Sequence, residues 1–139
     1  MRSITTIIDI VQADWPLLPS LALVGCAEIP PWTLQSAQQF YTCLSPTERV
    51  ACQTQLPQRI ASLAFLQRHW TVTVILATIL AFAVVAQAEP LLHDSLRVGI
   101  LVTVLSTILL PPLAICHGIA REYVAAQALL AVIRRSTRQ

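Results

Sequence analysis

Two uninterrupted apolar runs constrain this chain more than any other feature. Residues 70–86 read WTVTVILATILAFAVVA and residues 98–116 read VGILVTVLSTILLPPLAIC, with a short polar stretch, 87–97, between them. Neither run contains a charged side chain. At about 1.5 Å of rise per residue, each spans roughly 25–29 Å as a helix, close to the hydrocarbon thickness of about 30 Å. The pattern predicts an all-α membrane protein built on a two-span helical hairpin, with spans at about 70–88 and 97–117.

The competing reading is a pair of buried helices in a soluble domain. Such helices carry a polar stripe, whereas the interruptions here are only Thr71, Thr73, Thr78, Thr103, Ser106 and Thr107. Hydroxyls of this kind bond carbonyls of their own helix and are tolerated in lipid. Composition agrees: 55% of the 139 residues are hydrophobic and 12% charged, about half the charged share usual in soluble domains.

All nine basic residues are Arg, and the net charge is +2. They do not cluster as a nucleic-acid footprint would, so nucleic acid is not an expected partner. Their placement does orient the hairpin. Arg49, Arg59 and Arg68 precede the first run, and Arg121, Arg134, Arg135 and Arg138 follow the second. The connecting stretch sets Arg97 against Glu89 and Asp94. The positive-inside bias therefore places both termini on the matrix, cytoplasmic or stromal side. Arg68, Trp70, Arg121 and Tyr123 are the expected membrane-interface residues on that side.

The sequence divides into an extramembrane or interfacial helical region, 1–56, and the hairpin with its C-terminal helix, 57–139. The opening residues carry Arg2 but also Asp9 and Asp14, unlike a secretory or transit segment. Leu23-Val24-Gly25-Cys26 has the form of a lipoprotein cleavage box, yet what precedes it is long and broken by Asp9, Asp14 and Pro16. Lipidation is not expected. Ile4, Ile7, Ile8 and Val11 recur at helical spacing opposite Asp9 and Gln12, predicting a short amphipathic helix over 3–13. Residues 17–27 are apolar but too short to span, and are expected to lie against a partner or in the interface. A helix over 32–44 follows, with Pro31 suited to its first position.

Ser45-Pro46-Thr47-Glu48 is the sharpest local signal. Ser45 caps, Pro46 fills a first turn whose N–H is unneeded, and Glu48 reaches back to complete a capping box. A helix is expected from Pro46 to about Gln55, with Pro57 restarting another. That second helix would run to Glu89-Pro90, and Asp94 or Ser95 would cap the helix of the second span. Pro111 and Pro112 predict a fixed bend within it. In such a hairpin, residues whose numbers sum to about 186 share a depth: His69 with His117, Arg68 with Gly118, Leu63 with Tyr123. Segments 57–68 and 118–135 should then run side by side as a stalk. Gly118, Ala120, Ala125, Ala126 and Ala128 would let them approach closely.

Site chemistry is sparse. His69 and His117, the latter beside Cys116, are the one pair with the chemistry to hold haem or a metal, but two imidazoles make an incomplete metal site. Cys26, Cys43 and Cys52 fall on the reducing side by the orientation argument and are expected as free, buried thiols. No Cys pair has iron–sulfur or redox spacing, and with three glycines there is no phosphate loop. The spans lack the ionisable residues a carrier needs. No cofactor and no small-molecule substrate are therefore expected.

These readings converge on a non-catalytic accessory subunit of a multi-subunit membrane complex, partnered by other membrane subunits and lipid. Its expected setting is a respiratory or photosynthetic membrane, such as the mitochondrial inner membrane. Trp15, Trp32, Phe40 and Tyr41 are expected as exposed aromatic contact surface. Small-residue stripes at Thr73, Ala77 and Ala81 on one span and Gly99 and Thr103 on the other are the expected helix-packing positions. Two alternatives use the same residues differently. One is a homo-oligomeric two-span pore that buries the Ser and Thr stripes; the other is a haem-binding redox anchor held by His69 and His117.

Overall fold

The computed structural model describes residues 2–16, 28–88 and 95–138, the backbone alone at 95 and 96. Among them the chain is all-α. The helices are α1, Ile4–Ala13; α2, Pro31–Thr42; α3, Pro46–Ala88; and α4, Ser95–Ser136. The stretch 17–27, with Cys26, and the turn residues Glu89, Pro90 and Asp94 lie outside the described residues.

Local chemistry sets the helix starts. The Ser3 hydroxyl accepts the Thr6 N–H and begins α1. Pro31 opens α2, where its missing N–H costs nothing. At α3 the capping box closes both ways: the Glu48 N–H reaches Ser45 Oγ at 3.3 Å, and Glu48 Oε2 accepts the Ser45 N–H at 3.1 Å. The same carboxylate accepts the Arg2 N–H through Oε1 at 3.3 Å. These bonds, Ser45 foremost, hold the Glu48 carboxyl below the ordinary value of 4.5.

One expected break is absent. Helix α3 runs through Pro57 as a single helix of 43 residues, about 65 Å long, and does not restart there. The reason is placement. Pro57 and Gln53, whose carbonyl loses its intrahelical donor, are both exposed, so water can satisfy the freed acceptor. On the opposite face Cys52, Leu56 and Leu63 are buried at helical spacing and hold the axis on course. Helix α4 continues through Pro111 and Pro112, as the sequence predicts.

The chain forms two compact units. One unit joins Met1–Leu66 to His117–Gln139; the other is Gln67–Cys116. In the first, four helical segments share a core. Ile8 and Val11 of α1, Trp15, Ala37 of α2, Leu63 of α3 and Val124, Ala125, Ala126, Ala128 and Val132 of α4 form one cluster. Ile7, Leu44, Cys52, Leu56, Leu129 and Ile133 form a second. The expected stalk is thus wrapped by the amino-terminal helices. Leu63 and Tyr123 do meet in one cluster, and Arg59 pairs with Glu122 between the two stalk segments. Ala120, Ala125, Ala126 and Ala128 are buried as close packing requires, whereas Gly118 faces open space.

The aromatic residues behave differently from their expected role. Trp15 is only 6% exposed and meets Trp32 edge to face, ring centroids 5.1 Å apart. Phe40 and Tyr41 are half-buried against the core. A small helical unit has little apolar area to bury, and these rings supply much of it. They are therefore part of its interior, not a free contact surface. Cys43 departs from expectation too: Cys52 is buried, but Cys43 is exposed, and both are free thiols.

Candidate functional site

The second unit, Gln67–Cys116, is a hairpin of the apolar parts of α3 and α4, and its chemistry lies in its surface. On α3 the partly or fully buried positions are Gln67, Trp70, Thr73, Val74, Ala77, Thr78, Ala81, Val84, Val85 and Ala88. Their spacing of three and four is that of a helix seam, and Ala81, at 5% exposed, is its tightest point. Leu101, Leu105, Ser106, Ile108, Leu109, Pro112 and Cys116 form the matching stripe on α4. Thr73, Ala77 and Ala81 belong to the seam. Gly99 and Thr103 are exposed, and a Cβ added to Gly99 would meet nothing within 4 Å.

The outward surface is apolar. Ile79 is 60% exposed and Phe82 72%, with Val72, Leu76, Ile100 and Leu110 exposed to similar degrees. Both helices are long and apolar enough to cross a membrane; 6% of the most apolar stretch of α3 and 0% of that of α4 are buried. The hydroxyls do not roughen this surface. Thr71, Thr73, Thr78, Thr103 and Thr107 donate to the carbonyls of Gln67, His69, Val74, Gly99 and Thr103, each four residues earlier, at 2.7–3.2 Å. Each donor is satisfied within its own helix.

The remaining sequence-derived positions distribute between the units. Arg68 and His69 are exposed in the hairpin unit, where His69 meets Trp70 edge to face at 6.3 Å. His117 belongs to the other unit; it is half-buried, and both ring nitrogens lack a hydrogen-bond partner. Among the described residues no three His, Cys, Asp or Glu side chains gather as metal ligands. Arg121 donates from Nη2 to the Gln12 carbonyl at 2.8 Å and so fastens α4 to the end of α1. Tyr123 accepts from Gln127 Nε2 at 2.6 Å and packs on the core. Arg121 Nη2 and the Tyr123 hydroxyl are thus engaged with protein partners inside the helical unit, whereas Arg121 Nε is buried without one.

The Arg59–Glu122 pair was not anticipated. Both residues are partly exposed, so its value is modest as stability, but it fixes the register of α3 against α4 in this unit. Opposite charges whose numbers, 59 and 122, sum to within about five of 186 are the signal that could have found it. Comparison with family models, with curated proteins and with solved structures gives no match.

Proposed function

We propose that this chain is an integral two-span membrane protein, both termini on the matrix, cytoplasmic or stromal side, acting as a non-catalytic accessory subunit of a multi-subunit membrane complex. The observation that carries the reading is that the apolar stretches of α3 and α4 are largely exposed, with almost no fully buried residue. Helices in the core of a soluble domain would be mostly buried, and an exposed apolar surface this extensive requires lipid or other apolar chains around it. Because Trp15, Trp32, Phe40 and Tyr41 serve the interior of the helical unit, the contact surface for partners is the hairpin itself.

The self-bonded threonines favour this role over a homo-oligomeric pore, whose polar lining would call on those hydroxyls. The energy-transducing membranes, rich in small spanning subunits, are the first place to look. A tagged copy recovered in mild detergent from its native membrane tests the proposal, with co-purifying chains identified by mass and an absorption spectrum of the same sample. Stoichiometric recovery of several different membrane subunits is the expected result. Recovery of this chain alone overturns it and transfers the weight to a self-assembling pore, or to a redox anchor if a Soret band is present.

A further inference from the structure

The helical unit carries a cleft of about 430 Å³ between α2, the first turn of α3 and the last turn of α4, within the size range of small-molecule sites. Its polar lining is Arg49, Arg135, Tyr41, Thr42, Ser136 and Gln38, and among the described residues no carboxylate borders it. Leu34 and Val132 supply apolar walls.

Arg49 is held in place before any ligand arrives. Its Nη2 donates to the Thr42 carbonyl at the end of α2 at 3.2 Å, and its guanidinium carbon lies 5.1 Å over the Tyr41 ring. Ser136 Oγ sits 3.5 Å from the Tyr41 hydroxyl, drawing the end of α4 to the same ring. Two guanidinium groups, neither in an ion pair among the described residues, thus share one small cleft with three hydroxyls and an amide. The end of α4 contributes about half a negative charge, too little to offset two full positive ones.

We propose that this cleft binds a phosphate monoester. Two guanidinium groups match a group of charge near −1.5 to −2 with three terminal oxygens better than a carboxylate, which offers one charge and two oxygens. The ester's organic part lies against Leu34 and Val132. A soluble phosphate ester and the head group of an anionic lipid present the same chemistry.

The test uses the full chain in detergent micelles, phenyl phosphate as probe and titration calorimetry as readout. Saturable binding is expected, weakened about tenfold or more in Arg135→Gln and little changed in Arg138→Gln, which removes the same charge from outside the lining. Arg135 is exposed, so its replacement leaves the fold intact, as a melting curve verifies. Arg49→Lys, which keeps charge but loses the fork, should weaken binding as well. Repetition in phosphatidylcholine nanodiscs with and without phosphatidic acid separates the sources. Competition by phosphatidic acid identifies a lipid head group, and unaltered binding identifies a soluble ester. Absence of saturable binding, or equal weakening by Arg135→Gln and Arg138→Gln, overturns the proposal.

Discussion

Replacing Ile79 by Arg distinguishes a hairpin in lipid from one in water, because the two settings demand opposite outcomes. Ile79 is 60% exposed on the outward face of α3. It lies about nine residues from either end of the span at 70–88, or about 13 Å along the helix, too deep for an Arg to reach the head groups without distorting the bilayer. On the insertion scale a central Ile contributes about −0.3 to −0.6 kcal/mol and an Arg about +2.5 to +3.5. The substitution therefore costs roughly 3–4 kcal/mol, or about a hundred- to thousandfold in the insertion equilibrium. At an exposed position in water the same change lies within about 0.5 kcal/mol and improves solubility. Gln87→Arg, exposed near the end of α3, serves as control, since a terminal Arg snorkels at little cost. Insertion is read from a glycosylation acceptor placed in the connecting stretch and from retention in membranes after alkaline extraction. Ile79→Arg should lower both, and Gln87→Arg neither. An Ile79→Arg protein that stays helical and soluble without detergent would refute the reasoning.

Three further outcomes follow from particular contacts. Ala81→Phe, at the tightest point of the seam, should destabilise the hairpin by about 1–3 kcal/mol through overpacking, while Ala83→Phe on the exposed face leaves the detergent melting temperature unchanged. The Glu48 carboxyl is held below 4.5 by backbone bonds from Ser45 and Arg2, so its stabilisation is present above that value and lost as the pH falls through the lowered one; Glu48→Gln should flatten the acid limb of the stability curve in that range. A thiol reagent should label Cys43 rapidly and Cys52 only on unfolding, because burial and the nearby Glu48 push the Cys52 thiol up; peptide mass mapping reads the order, and equal rates would contradict the buried placement.

The features legible in the sequence are those whose cause is local. The apolar runs state their own solvent preference, the capping box at Ser45 and Glu48 closes within four residues, and the spacing of Ile4, Ile7, Ile8 and Val11 marks one face of α1. What that face packs against was not legible, because its partners Leu129 and Ile133 come from the far end of the chain. The same distance hid the burial of Trp15 and Trp32. Pro57 misled for a different reason: a proline breaks a helix in isolation, but the buried line of Cys52, Leu56 and Leu63 outweighs one lost hydrogen bond that water replaces. The cleft was illegible because Arg49 and Arg135 lie far apart in sequence and read separately as ordinary cations near helix ends.

The helical unit is assembled from both ends of the chain, and this sets an order of events during synthesis. When Leu66 has been made, the core residues contributed by α4 still lie roughly 60 residues away, on the order of 3–12 s at about 5–20 residues per second. Through that interval Ile7, Ile8 and Trp15 have no complete core to enter. Until then the apolar faces of the amino-terminal segment lack their α4 partners. Arrival of the second apolar run and the helix beyond it ends that exposure. A chain stalled or truncated before Val124 keeps it, which gives quality control a direct means of telling complete copies from incomplete ones.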